Sequence, residues 1–417
     1  MSQDSMDFEF GLPLTDLPKT NNCIIKVIGV GGGGGNAVNH MYREGIHDVS
    51  YVVCNTDKKA LDDSPVPNHL QLGAGLGAGN RPEKARQIAE ESIDAINEML
   101  NDGTRMVFIT AGMGGGTGTG AAPVIARCAK NAGILTVGIV TIPFKFEGMK
   151  KINQALDGVE EISKHVDALL VINNERLREI YPELTVINAF AKADDTLTVA
   201  AKSIAEIITM HGIMNLDFED VTTVLKDGGV AIMSTGYGEG ENRVTKALEE
   251  AQKSPLLNHN DIFNSKKVLL NINFCSDNEH DSLMMEEMNE IHEFMGRFRN
   301  DVETKYGLAT DSTLGNKVKI TLLATGFGLQ SIGAKEPSEV RPAPVQIGID
   351  SERQQEREAM IDTIYGNKDS NKLNRRNIFI YTTENIDNED IITHVDNSPT
   401  YERTKEELKK IKGEIEE

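Results

Sequence analysis

Positive charge is scarce in this sequence. Its 43 Lys and Arg face 64 Asp and Glu, for a formal net charge of −21. That balance argues against non-specific nucleic-acid binding and against direct docking on anionic lipid. Much of the acidity sits at the two ends. Cysteine is scarce too. Cys23, Cys54, Cys128 and Cys275 show no CxxC or other metal-ligand spacing. Each lies in or beside an apolar run, which predicts reduced core thiols in a cytoplasmic protein. No apolar run reaches transmembrane length and no signal-peptide pattern occurs, so direct membrane insertion is not expected. Tryptophan is absent and aromatics make up 5% of the chain, but the composition is otherwise that of a globular protein. At 417 residues it is long enough for two or three domains. No Walker-type loop ending in Gly-Lys-Ser/Thr occurs. A phosphate ligand would therefore depend on backbone N–H groups and a metal.

Glycine, by contrast, is abundant and clustered. From Gly112 through Gly114, Gly115, Gly116, Thr117, Gly118 and Thr119 to Gly120, six of nine residues are glycine. The run follows strand character over Met106 to Thr110 and precedes a helical pattern from about Ala121 to Asn131. Such a loop contributes no packing, so something must approach its bare backbone. N–H groups at a helix N-terminus make an anion site, and Thr117 and Thr119 add hydroxyls. A second glycine loop, Gly31, Gly32, Gly33, Gly34 and Gly35, follows a strand from Ile24 to Val30 and leads into a helix over Asn36 to Arg43. Its Gly29-x-Gly31-x-x-Gly34 spacing also fits a dinucleotide fingerprint, with Asp57 near the position of a ribose-binding acid. A Rossmann oxidoreductase binding NAD therefore competes at this point. Ser50 to Cys54 is a strand ending at Asn55-Thr56-Asp57. A third loop, with Gly73, Gly75, Gly77 and Gly79, closes before Pro82, and a helix then runs to about Leu100. Strands over Ile134 to Thr141 and Ala168 to Ile172 flank a helix ending near Lys164. The series is βαβ, an α/β fold with a Rossmann-like parallel sheet, and its polar loops gather at the C-terminal ends of the strands, where ligands bind.

A helical pattern of about 25 residues, from Val186 to about Met210, would span ~38 Å. Ile187, Phe190, Leu197, Ile204 and Ile208 mark its apolar faces. Phe190 and Asp194 share one face near its N-terminal end. Asn215, Asp217, Phe218, Glu219 and Asp220 then form an acidic stretch, which local pattern alone leaves open between a helix N-terminal cluster and a functional loop. Beyond it, strands at Val230 to Ser234, Lys267 to Phe274, Asp301 to Tyr306 and Val318 to Thr325, with helices at Glu241 to Gln252 and Ser282 to Phe298, predict an α+β C-terminal domain. The expected domains are a disordered arm at 1–22, a nucleotide domain at 23–185 and a central helix at 186–211. An acidic loop with a short helix follows at 212–229, then the α+β domain at 230–332. A disordered linker at 333–398 and a charged tail helix at 399–417 end the chain.

Taken in order, these motifs resemble the tubulin/FtsZ family of GTPases. Gly114 to Gly120 is similar to the family signature. Gly31 to Asn39, Asn55-Thr56-Asp57, Gly75 to Gly79, Pro143 to Gly148 and Asn215 to Asp220 follow in the family's order. Ser254-Pro255-Leu256-Leu257 and Ala324-Thr325-Gly326-Phe327 extend the likeness, which covers roughly 20–330. It outweighs the Rossmann alternative, which explains one loop of five. The resemblance implies a GTPase domain joined by the long helix to a C-terminal domain, GTP/GDP and Mg²⁺ as ligands, and head-to-tail self-assembly into filaments. In the family, Asn36 and Asp194 would read guanine, Phe190 would stack on it, and Glu147 would sit near the ribose. The glycine loops, with Gly112, Asn39, Asn55, Pro143 and Lys151, would surround the rest of the nucleotide. Asp217 and Asp220, with Asn215, would enter a neighbouring subunit's pocket and polarise the attacking water. The resemblance further implies a cytoplasmic division protein at mid-cell, whose tail meets divisome and membrane-tethering partners. A filament protein gated by nucleotide with little hydrolysis is the alternative. Lys151 stands where the family usually has arginine, Gly35 where it often has asparagine, and the family's Ile-Pro-x-Phe-Leu-type C-terminal docking peptide is absent.

Overall fold

The computed structural model describes residues 23–328 apart from 47, 211, 253, 255–261, 278–280 and 300. Beyond 328 it describes only Arg357, Met360, Ile361, Ile364, Tyr365, Ile391 and Val395. The expected arm and tail helix, the stretch Pro255 to Leu257 and most of the expected linker lie outside the described residues. The described linker residues are helical, and Ile364 and Tyr365 are buried, which a disordered linker does not predict.

Eleven strands form one sheet among the described residues. They are β1 (Ile25–Val30), β2 (Val49–Asn55), β3 (His69–Gln71), β4 (Met106–Gly112), β5 (Leu135–Ile142), β6 (Ala168–Asn173), β7 (Gly212–Met214), β8 (Gly229–Glu239), β9 (Lys267–Phe274), β10 (Glu303–Thr310) and β11 (Lys317–Phe327). Their order is β3-β2-β1-β4-β5-β6-β8-β11-β9-β10-β7. The first six are mutually parallel. β6 continues the sheet into the second half through a three-residue parallel pairing with β8. From there the pairing is mixed. The two halves therefore share one backbone ladder, which the sequence pattern did not show.

The helices are α1 (Gly31–Glu44), α2 (Lys58–Asp62), α3 (Pro82–Glu91), α4 (Ile93–Leu100), α5 (Thr117–Asn131), α6 (Met149–Ser163), α7 (Asn174–Ile180), α8 (Val186–Thr209), α9 (Phe218–Leu225), α10 (Arg243–Gln252) and α11 (Met288–Met295). β1, β4, β5 and β6 are buried almost throughout and mostly apolar, because both faces are covered. One face places Val27, Phe108, Val137 and Leu170 in a core with Val38 and Met41 of α1 and Leu197 and Ile204 of α8. A separate core joins Val268, Leu270 and Ile320 to Val244, Leu248 and Phe294.

The expected helix from Pro82 to Leu100 is broken at Ser92, which leaves helical geometry at ψ 14°. Its hydroxyl bonds Ile88 O at 2.9 Å, a local bond that competes with the helix ladder. The expected helix from Ser282 to Phe298 shortens to the eight residues of α11. α8 runs 24 residues, about 36 Å, close to expectation. Its N-terminal part is not core, however: Ile187 is 81% exposed. Cys54, Cys128 and Cys275 are buried free thiols, but Cys23 is half-buried.

Candidate functional site

The glycine run after β1 is not a loop. Gly31 turns out of the strand at φ +72°, a left-handed conformation that L side chains rarely adopt, and α1 starts there. The run after β4 is likewise short: residues 113–116 form the loop, and Thr117 already opens α5. β1 and β4 are neighbours with Val30 opposite Ala111, so both helices start at one sheet edge. They touch there: a Cβ on Gly31 would lie 2.8 Å from the Gly118 backbone nitrogen. Helix first-turn N–H groups lack intrahelical acceptors, and both dipoles point their positive ends to this edge. The arrangement is an anion cradle made of backbone.

Within it the glycines divide into two groups. A Cβ on Gly34 would stand 2.1 Å from Thr110 O, and one on Gly120 2.1 Å from Pro82 O. Gly34, Gly35, Gly118 and Gly120 are buried: Gly34 and Gly118 let helix backbone close on the sheet, Gly31 lets α1 meet α5, Gly120 lets α5 meet α3, and Gly35 packs on Val53. Gly32 and Gly33 are exposed, and around Gly32 and Gly115 a Cβ would meet nothing within 4 Å. These are the positions left open to a ligand. The loops are braced by hydroxyls: Thr56 and Thr117 lie 2.7 Å apart, and Thr119 accepts the Gly114 N–H at 2.9 Å. Thr119 is buried, so its hydroxyl serves the loop itself. Gly75, Gly77 and Gly79 line the neighbouring loop, tied by Gly77 N–H to Thr56 O at 2.8 Å. Asn55 is buried and accepts the Asp57 N–H at 3.2 Å, while exposed Asp57 caps α2 by accepting the Lys59 N–H at 3.0 Å.

Beside the cradle lies an aromatic wall. Phe144 and Phe146 stack at 5.1 Å, and Phe190 meets Phe144 edge-on at 5.1 Å. Phe146 remains 60% exposed and Phe190 41%. Asp194 is half-buried, and desolvation pushes its carboxyl up to about 6, with His40 pulling the other way. Asn36 is exposed on α1, whereas the Asn39 amide oxygen already accepts from Ser64 Oγ at 2.6 Å. Glu147 accepts the Phe144 N–H at 3.0 Å and the Lys151 ammonium at 3.0 Å. The sequence reading missed Glu175. It is 2% exposed, pairs with Arg178, and accepts the Lys145 N–H at 3.0 Å, which pins the Pro143–Gly148 segment. The only signal was a Glu–Arg pair at i,i+3 just after a strand.

The acidic stretch is elsewhere. Glu219 bonds Arg105 at 2.9 Å, and Arg105 lies over Phe218 at 4.4 Å. Arg105 directly precedes β4, whereas the glycine loop follows its last residue. Six steps along the strand put roughly 20 Å between the two edges. Asp217 caps α9 by accepting the Asp220 N–H at 2.8 Å, and Asp220 returns the bond at 3.2 Å. Asn215 is exposed, and its amide oxygen accepts from Gly212 N–H. A cleft of about 460 Å³ opens at this edge, lined by Arg105, Lys130, Asp167, Phe218, Glu219 and Lys226 among others.

Fold and cradle together define a parallel-sheet protein whose backbone edge at the strand C-termini suits an anionic, phosphate-bearing ligand. Comparison with known proteins narrows this. Residues 24–182 match the model of the Tubulin/FtsZ family, GTPase domain. Residues 229–328 match the FtsZ family, C-terminal domain, and 373–417 match FtsZ, C-terminal. The chain is 49% identical over 420 residues to the cell division protein FtsZ of Porphyromonas gingivalis, covering 97% of this chain and 89% of that one. It is 44% identical over 316 residues to the cell division protein FtsZ of Azotobacter vinelandii, covering 74% and 79%. Among solved structures, an empty FtsZ dimer from M. jannaschii superimposes with a TM-score of 0.68 at 36% identity, covering 77% of this chain and 95% of that one. The chain belongs to the tubulin/FtsZ family, in its FtsZ branch, and is a GTPase. Among the described residues no helix is long and apolar enough to cross a membrane.

Proposed function

We propose that this filament-forming cell-division GTPase hydrolyses GTP at the joint between two subunits. The observation that carries this reading is the separation along β4. Asp217 and Asp220 sit at the N-terminal edge of the sheet, roughly 20 Å from the glycine cradle of their own chain. They can serve only a nucleotide held by another copy. Exposed apolar side chains mark both edges: Leu76, Phe146, Met149 and Ile187 around the cradle, and Ile213 and Met214 beside the acidic stretch. Two unlike faces of this kind suit a head-to-tail contact that repeats into a filament.

In this reading the phosphates rest on the N-termini of α1 and α5, with Gly31 to Gly35, Gly112, Gly114 to Gly120 and Gly75 to Gly79 as the cradle. Asn55, Asp57 and Pro143 complete its rim. The guanine lies against Phe190, with Asn36 and Asp194 at its polar edge, because an amide and a carboxylate suit its N1–H and amino group. Glu147 and Lys151 stand at the ribose side. A Mg²⁺ ion usually keeps several waters and takes phosphate oxygens, so the cradle would need to supply few ligands to it. When bound, the ion neutralises charge on the transferring phosphoryl group. The neighbour's Asp217 and Asp220, with Asn215, orient and polarise the attacking water. Dividing the site in this way makes hydrolysis depend on assembly. The protein acts in the cytoplasm at mid-cell, and its tethering and divisome partners engage the C-terminal segment.

Turnover per subunit measured against protein concentration tests the reading. It should rise steeply through the assembly threshold with GTP and stay low with ATP. Constant turnover in dilute monomers would overturn it.

A further inference from the structure

The reciprocal cap between Asp217 and Asp220 occupies one oxygen of each carboxylate. The other oxygen of Asp220 accepts from the Lys305 ammonium at 2.8 Å. Lys305 comes from β10, on the far half of the sheet and 85 residues away in sequence. It is therefore neither a helix-local partner nor part of the acidic stretch. The surrounding charges are accounted for. Glu219 is paired with Arg105 from the start of β4. Lys267 of β9 gives its ammonium to the carbonyls of Thr223 and Lys226, at the opposite end of α9. Glu303 of β10 acts on Lys305 from its own strand. Lys305 is thus the cation seated on the acidic pair.

We infer that Lys305 is a positioning residue of the GTPase reaction: it holds the Asp220 carboxylate in its cap geometry and carries a positive charge, with the acids, toward the nucleotide of the next subunit. This rests on the shared-site reading above. The physical need is clear. Asp217, Glu219 and Asp220 must approach a triphosphate, and like charges repel unless a cation moves with them. A cation stabilising developing phosphoryl charge is a recurring part of such sites, and it can be supplied by a second chain. A lysine provides it as a point charge on a flexible stem. Lys305 is about one-third exposed, so it can keep its bond to Asp220 and still face outward. The bond also holds the Asp220 carboxyl below the usual carboxylate range, with the Asp217 N–H helping. Asp220 then stays ionised at any pH near neutrality.

The test compares Lys305→Met and Lys305→Arg with the parent, as full-length chains. GTP affinity of dilute monomers should be unchanged in both, since each chain's own cradle is remote from Lys305. Turnover per sedimented subunit should fall on the order of tenfold to a hundredfold in Lys305→Met, as a misplaced group does. It should recover largely in Lys305→Arg. The acid limb of the turnover–pH profile should move to higher pH in Lys305→Met, because Asp220 loses its cation. In an Asp220→Asn background the Met substitution should add no further loss. Parent-like turnover and acid limb in Lys305→Met would overturn the assignment. So would loss of filaments with unchanged turnover per sedimented subunit, which would make Lys305 a structural tie. Concentration-independent turnover of the parent would instead remove the shared-site reading itself.

Discussion

At the C-terminal end of β4 the chain presents backbone, and at the N-terminal end it presents side chains. The first edge is built from two helix N-termini and glycines. Its suitability for phosphate rests on N–H groups that no single side chain supplies. The second edge is built from Asp217, Glu219, Asp220, Arg105 and Lys305, each held by ion pairs or caps. The contrast explains a division of labour. A backbone cradle binds anions well but supplies no general base. Carboxylates can orient water but would repel a triphosphate held permanently beside them. In the proposed reading, placing them at opposite edges would let a subunit bind nucleotide without hydrolysing it until another copy arrives.

The largest effect should come from the acid edge. Asp217→Ala should lower turnover of assembled protein by ~10²–10⁴-fold while monomer GTP affinity stays near the parent value, by equilibrium binding. Equal loss of binding would place Asp217 in its own chain's pocket and dissolve the comparison. At the cradle edge, Gly34→Ala and Gly115→Ala separate packing from ligand contact. The first drives a Cβ into Thr110 O and should cost at least about 1–3 kcal/mol, read as a lowered Tm without nucleotide. The second meets open space, so it should leave that Tm nearly unchanged and weaken GTP binding. Equal Tm losses would show that Gly115 is packing too.

Glu175→Ala should strip the Lys145 N–H of its acceptor and leave Arg178 unpaired, costing about 1–3 kcal/mol and speeding GTP release. Glu175→Gln keeps an acceptor and should recover part of both, by thermal melts and stopped-flow release. Unchanged release in Glu175→Ala would free the Pro143–Gly148 segment from this control.

The smallest effect concerns Asp194. Its folded-state value, about 6, lies above that of a free carboxylate, so the folded protein holds this proton more tightly than the unfolded chain does. The group therefore stabilises the fold at low pH, and that contribution is lost as pH rises through about 6. In the proposed reading Asp194 meets guanine as a carboxylate, so GTP affinity should fall as pH drops below about 6, by up to roughly tenfold per unit. His40 is the neighbour that opposes this shift. Binding measured from pH 7.5 down to 5 should show the fall in the parent and lose it in Asp194→Asn.

Much of the site was legible in the sequence because its information is local. The glycine clusters sit at strand–helix junctions, and period and punctuation placed the strand end at Val30, but the helices begin four or five residues earlier than expected, at Gly31 rather than Asn36 and at Thr117 rather than about Ala121. The length of α8 and the bounds of β9 were legible for the same reason. Glu175 and Lys305 were not, because their partners lie 30 and 85 residues away and neither has an unusual neighbourhood in sequence. The break at Ser92 was hidden because the apolar face continues through it, with Ile96 and Leu100 buried beyond it.

By itself the sequence determined most of the strands and helices, where glycine leaves backbone bare, and where acidic side chains cluster. Apolar periodicity and glycine placement are written residue by residue, so no partner is needed to read them. Only the tertiary structure decided which of these groups share a space. Strand order and sheet direction set the cradle and the acids at opposite ends of β4, and the parallel pairing of β6 with β8 joined both halves into one ladder. Those relations depend on contacts between residues far apart in the chain, which no local pattern encodes.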